Sequence, residues 1–252
     1  LKPLSTDGLP DELLYLIKAI NSLLSRLSAS LEAQKRFASD AAHELRTPLT
    51  AIKLQAQLAR RAISKENREK YFQKLDSGIL RATHLIEQLL IMARLDPESV
   101  KKPMAPVQVQ ELLESIRNEM EPIASQKCIA IDVDAQPIEY NGLLGALHLM
   151  VTNLVDNAIK YTPEGGCILL SARKADHFLE LSVADNGPGI PEKDRQQVFK
   201  RFYRALGTHV PGNGLGLAIV SRIAEIHGGS VHVENGLDGR GTSMVVKLPH
   251  AA

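Results

Sequence analysis

His43 stands in the run FASDAAHELRTPLTAIKL (37–54), with Glu44 beside it, Thr47 four residues on and Pro48 after that. The apolar residues around it recur at heptad spacing, and with Ala41 at position d, His43 falls on f, the outermost position. An outward imidazole is an accessible nucleophile of the side-chain type that titrates near neutral pH. A neighbouring carboxylate can orient the ring or take its proton. Pro48 breaks the apolar seam and removes a backbone hydrogen bond just past the histidine, a local cost with no evident packing return. An exposed histidine is also an ordinary surface residue, so this cluster asks for a second one.

A second cluster is NLVDNAIKYTP (153–163). Asn153 and Asn157 lie four apart on one helical face, with Lys160 close to it. Two amide oxygens and an ammonium there suit a magnesium–triphosphate group; read alone, they equally describe a solvated helix surface. Farther on, DNGPGI (185–190) follows a strand-like run and GNGLGLAIV (212–220) leads into a helix. Glycines at 212, 214 and 216 let a ligand approach the backbone, and a following helix N-terminus favours phosphate. The pattern is neither a Walker phosphate loop, which ends in Gly-Lys-Ser/Thr, nor a dinucleotide fingerprint in a βαβ unit.

Two kinds of element must carry these clusters. From Leu13 to Ile52, alternate steps of four and three visit twelve positions, all aliphatic but Gln34 and Pro48. A second seam runs Phe72, Leu75, Ile79, Ala82, Ile86, Leu89, Ala93. With SKENRE (64–69) as the polar turn between them, these read as a helical hairpin whose first helix has about 50 residues, or about 75 Å. One hairpin cannot close a core, so two are expected to form a dimeric four-helix bundle. After residue 105 strands and helices interleave: a short strand and helix over 107–124, a strand at 128–134, a helix at 143–160, strands at 167–174 and 178–185, a helix at 215–227 and strands at 230–234 and 243–248. That is an α/β sandwich of about 145 residues.

Composition narrows the function. Of 252 residues, 30 are basic and 29 acidic, and a net charge of +1 argues against a direct nucleic-acid binder. Residues 1–95 hold 15 basic and 10 acidic side chains, a net +5; the remaining 15 and 19 give residues 96–252 a net −4. LDPESVKKPMAP (95–106), with three prolines, marks the join. Cys128 and Cys167 form no metal-spaced pair and read as reduced thiols. No apolar run approaches the roughly 18 residues of a membrane span. Residue 1 is Leu, and the chain reads as an internal piece of a longer one.

Taken together, the segments resemble the sensor histidine kinases of two-component systems. FASDAAHELRTPLTAIKL is similar to the phosphoacceptor box of the dimerisation and histidine-phosphotransfer domain, and NLVDNAIKYTP to the N box of the GHKL-type ATP-binding domain. DNGPGI, FKRFYR (199–204), GNGLGLAIV and GRGT (239–242) resemble that domain's first glycine box, F box and later glycine boxes, in order. Residues 1–30 resemble the last helix of a HAMP linker, and the chain as a whole is similar to PmrB/QseC-like sensors of Gram-negative bacteria. The implied organisation is a HAMP-like helix at 1–30, a phosphotransfer hairpin at 31–95, a flexible linker at 96–105 and the ATP-binding domain at 106–252. Because the same ATP-binding fold also serves clamp ATPases, His43 in its HELRTP context is the discriminating feature.

The resemblance also implies roles. His43 takes the γ-phosphoryl group of ATP, Glu44 acts as base and orienter, and Thr47 positions water for dephosphorylating a response regulator's receiver domain. Asn153 and Asn157 hold Mg²⁺, Lys160 meets phosphate, and Tyr161 packs on the nucleotide. Asp185 accepts the adenine amino group, while Gly187 and Gly189 allow close approach and hinge a lid. Arg204 reaches the γ-phosphate, Gly212, Gly214, Leu215 and Gly216 wrap the phosphates, and Thr242 lies under the adenine. Thr152 departs from the Arg many relatives carry before the Asn-Leu pair, which puts one polar contact in question. Implied partners are a second copy of the chain and the receiver, whose acidity the +5 half could attract. The full-length protein is expected to be anchored in a bacterial inner membrane, with this portion on the cytoplasmic side.

Overall fold

The structure is a computed structural model that describes residue 4 and residues 11–94, 104–204 and 213–250. The chain divides into two compact units, the first reaching Ile86 and the second beginning at Glu87. Most of the expected linker at 96–105, and residues 1–3 and 5–10 of the HAMP-like stretch, lie outside the described residues.

The first unit is built on two helices, α1 (Asp11–Arg61) and α2 (Lys65–Arg94), of which the last turns of α2 fall in the second unit. Helix α1 runs through Pro48 without a break, although Pro48 has no N–H to give the Glu44 carbonyl. The Thr50 hydroxyl donates to Arg46 O at 2.8 Å one turn on. The turn lies at 62–64, earlier than the polar SKENRE run suggests. Ser64 ends it as an N-cap whose Oγ accepts the Asn67 N–H at 3.2 Å, so 65–69 are the first turns of α2 and are polar because they face water.

Within a single chain the hairpin buries little: Ala59, Ala82 and Leu85 are enclosed, whereas Leu13, Leu16, Leu23, Leu27 and Leu31 on α1 stay exposed. A row of bare leucines is apolar surface that association would remove from water at about 25 cal/mol per Å².

The second unit holds a sheet ordered β2 (Ala130–Ala135), β4 (Cys167–Ala175), β5 (Phe178–Asp185), β7 (Thr242–Pro249), β6 (Ser230–Asn235). Only the β2–β4 pair is parallel. Helices α3 (Val109–Ser125), α4 (Leu144–Tyr161) and α5 (Gly216–Ile226) pack on the sheet. A two-stranded ladder, β1 (Ala105–Gln108) with β3 (Glu139–Gly142), stands beside it.

Strand alternation decides what faces the helices. Leu170 pairs with Val183 and Ala172 with Leu181, and these buried residues form the sheet's inner layer. On α4, Leu147, Met150, Val151, Leu154, Val155 and Ala158 recur at helical spacing and are buried against it. The core therefore sits between one face of α4 and one face of the sheet, which leaves the next strip of α4 for the candidate site.

The exposed leucine row predicts that residues 1–95 alone form a dimer in sedimentation. A monomeric, helical fragment would mean that the leucines have no partner hairpin.

Candidate functional site

Asp185 anchors the site. It ends β5 and lies opposite Ile168 in the register, so alternation turns it toward the helices with Val183 and Leu181. It is buried, and its Oδ1 accepts the Gly187 N–H at 2.8 Å and the Thr242 N–H at 3.1 Å. Oδ2 has no described partner. Burial raises the carboxyl's pKa, and the two backbone N–H groups only partly offset it.

Around Asp185 the backbone is too close for side chains. A Cβ on Gly187 would come within 2.9 Å of Asp185 Oδ1 and 3.1 Å of Tyr161 O. Gly189 has a φ of +79° and its Cβ would reach Gly241 O at 2.9 Å. Gly214, at φ +67°, would meet Phe202 C and Tyr203 O at 2.7 Å, while the Phe202 N–H donates to Gly214 O at 2.9 Å. Both ends of the long loop between β5 and α5 are thus fixed by glycine.

Helix α4 supplies the opposite wall. Asn153 is buried, and its Nδ2 donates to Leu149 O at 2.9 Å, which leaves Oδ1 toward Gly216, 3.0 Å from where a Cβ there would stand. Asn157, one turn on, is half-buried and lies at 3.5 Å from the same point. Lys160 pairs with Asp156, and Tyr161 stands 40% exposed at the helix end, leaving its ring partly open. Between the walls is a cavity of about 540 Å³ lined by Asn153, Asn157, Lys160, Tyr161, Asp185, Gly189, Arg204, Gly214, Gly216 and Thr242 among others. That volume suits one nucleotide-sized ligand. Amide oxygens are hard donors of the kind Mg²⁺ accepts, and the free face of Asn153 Oδ1 fits that use.

Leu215 differs from the rest. It is fully buried at the start of α5 and belongs to the core, and only its backbone N–H, 3.4 Å from Asn213 Oδ1, faces the loop. Gly212 lies outside the described residues. Residues not singled out from the sequence also line the cavity: Asp156, Asp194, Tyr203, Asn213 and Met244. The Tyr203 hydroxyl donates to Asp194 Oδ1 at 2.7 Å. Tyr203 sits inside FKRFYR and Asp156 is i−4 to Lys160, so both pairings had a local cue; Asp194 had none.

In the first unit, His43 and Thr47 are exposed on α1, one turn apart, and Glu44 is half-buried.

Residues 142–252 match the family model "Histidine kinase-, DNA gyrase B-, and HSP90-like ATPase", and residues 33–98 match "His Kinase A (phospho-acceptor) domain". The chain belongs to the sensor histidine kinase family. It is 38% identical over 250 residues to the sensor protein kinase PmrB of Pseudomonas aeruginosa, covering 99% of this chain and 52% of that one. To the sensor protein QseC of Escherichia coli K12 it is 39% identical over 241 residues, covering 94% and 53%. A solved structure of the mycobacterial sensor histidine kinase MprB shares 33% identity at a TM-score of 0.53, covering 58% of this chain and 97% of that one. The chain thus spans about half the length of the curated relatives it matches. The PmrB/QseC-like resemblance read from the boxes agrees with these relatives.

Two outcomes test the geometry. Asp185→Asn keeps an oxygen for Gly187 and Thr242 but removes a buried charge, so the thermal midpoint should hold or rise. ATP affinity by calorimetry should nonetheless fall by roughly 1.5–3 kcal/mol, the scale of a hydrogen bond to a charged group. Gly214→Ala forces both a left-handed φ and a backbone clash, and should destabilise the second unit by about 1–3 kcal/mol in denaturant unfolding.

Proposed function

We infer that this chain is the kinase portion of a membrane-anchored sensor that phosphorylates its own His43 from ATP, passes the phosphoryl group to an aspartate of a response regulator, and also dephosphorylates that regulator. The observation that carries the reading is one cavity in which Asp185, the α4 amides and two glycine-bounded loop ends converge, in a chain that also presents an exposed His43 followed by Glu44. Among the described residues no helix is long and apolar enough to cross a membrane, so the anchor would belong to other parts of the full-length protein.

Phosphoryl transfer asks the protein mainly for positioning and charge neutralisation. In this reading Asp185 Oδ2 accepts the adenine N6 amino group, which selects ATP over GTP because guanine presents a carbonyl there. Tyr161 covers the base, and Thr242 lies beneath it. Asn153 and Asn157 would hold Mg²⁺, which supplies charge neutralisation to the triphosphate when bound. Lys160 and Arg204 meet phosphate oxygens, and the backbone of Gly214, Leu215 and Gly216 borders the chain of phosphates. Gly187 and Gly189 keep side chains out of the nucleotide's way and give the loop its hinge. An imidazole nitrogen of His43 attacks the γ-phosphorus as the β–γ bridging bond breaks and ADP leaves. Glu44 holds the ring and takes the proton from its other nitrogen. Two copies of the hairpin form the bundle that bears the two acceptors.

Thr47 carries the reverse activity. Its hydroxyl can both donate and accept, which suits holding the water that attacks the regulator's aspartyl phosphate.

His43→Ala should abolish covalent label from ATP and leave nucleotide affinity nearly unchanged; substantial label on the variant would remove His43 from the acceptor role. Thr47→Ala should keep autophosphorylation within a few-fold while slowing regulator dephosphorylation at least about tenfold, about 1.4 kcal/mol of barrier. Equal losses in both rates would mean that Thr47 only shapes the helix beside Pro48.

A further inference from the structure

The C-terminal end of α4 is a weak point in the proposed nucleotide site. The helix carries Asn153, Asn157, Lys160 and Tyr161, and its last carbonyls have no intrahelical donor. The Thr162 N–H closes onto Ala158 O at 2.9 Å; the carbonyls beyond need donors from elsewhere. They find one ammonium. Lys127 Nζ donates to Ile159 O at 2.8 Å and to Lys160 O at 3.1 Å, and reaches Thr162 O at 3.5 Å. Three N–H bonds meet three converging acceptors, and the positive charge sits at the negative end of the helix dipole.

Lys127 is itself held rigidly. Its N–H donates to Ala124 O at 2.9 Å, and Ile129 N–H donates to the same carbonyl at 3.1 Å, closing the end of α3. Cys128, at φ +52°, turns the chain there. The Lys127 carbonyl accepts the Gly165 N–H at 2.9 Å, so side chain and backbone of one residue grip both the end of α4 and the turn after it.

That turn touches the base-recognition wall. A Cβ on Gly187 would stand 3.1 Å from Tyr161 O and 3.5 Å from Thr162 Cα. The Cys167 N–H donates at 3.0 Å to Asn186 Oδ1, and a Cβ on Gly166 would meet both that oxygen, at 2.6 Å, and Thr162 Cγ2, at 2.3 Å. A shift of the 159–162 backbone would therefore move Tyr161 against Gly187 and change the spacing between the α4 wall and Asp185.

We propose that Lys127 is a positioning residue of the nucleotide site: without touching the ligand, it fastens the end of α4 so that Tyr161 and Lys160 stand at the right distance from Asp185. The inference rests on the nucleotide reading of that cavity. The lysine acts through the end of α4 that borders Gly187 and Asp185, so its loss falls on Kd and KM ahead of kcat.

The test uses the full chain with Lys127→Met, which keeps the stem and removes the ammonium, and Lys127→Gln, which keeps a weaker donor and guards against a variant that does not fold. Thermal midpoint, calorimetric Kd for ATP, and KM and kcat for autophosphorylation are read on each. Lys127→Met should raise Kd and KM together by at least about fivefold and Lys127→Gln by at least about threefold, with kcat within about twofold of the parent protein. A lowered midpoint with unchanged Kd in the folded variants would overturn the proposal and reduce Lys127 to a stabilising cap. A fall in kcat at unchanged Kd would overturn it as well. Failure of the unsubstituted chain to bind ATP would instead overturn the nucleotide reading.

Discussion

A carboxylate buried at the end of a strand has to be satisfied, and the second unit is arranged around that demand. Asp185 is turned inward by the same alternation that buries Val183 and Leu181. An unpaired charge there would cost several kcal/mol. Two backbone N–H groups, from Gly187 and Thr242, share one of its oxygens. To deliver them, the chain after β5 must double back tightly and β7 must begin beside it. The glycines at 187, 189 and 241 are where those approaches leave no room for a Cβ. The tertiary arrangement thus keeps one oxygen of a buried carboxylate without a described partner at the wall of the cavity, where partial desolvation makes a hydrogen bond to a ligand worth more than in water.

The first unit obeys the opposite constraint. His43 and Thr47 are carried on a long helix with an exposed leucine row, and their side chains face outward because the heptad pattern spends its apolar positions elsewhere. In the proposed reading, recognition is buried in one unit and the acceptor His43 is exposed in the other. Such a division would let a nucleotide domain and then a regulator reach the same histidine.

Much of this was legible from residue order. The apolar seams gave both long helices, and alternation gave β4, β5 and β7 to within a residue or two. Helix α4 could be read because its apolar strip and its Asn-Asn-Lys strip fall on separate faces. What stayed hidden depended on contacts distant in sequence. Strand β3, with the sequence EYNG, has too few residues for a period and exists through its pairing with β1. A polar run reads alike as loop or as exposed helix, so the hairpin turn is placed only by the Ser64 cap. Leu215 sits among the glycines of GNGLG in sequence yet belongs to the core. Lys127 has no motif around it: its role comes from meeting the carbonyls of a helix more than thirty residues away.

In the proposed reading, ATP bound in one unit ends as a phosphoryl group on an imidazole in the other. Peptide mapping of the unsubstituted chain after incubation with labelled MgATP tests it most directly. Label is expected on the peptide containing His43, lost on brief acid treatment and retained in base, as a phosphoramidate behaves. ATP turnover with no covalent label, or acid-stable label on another residue, would contradict it.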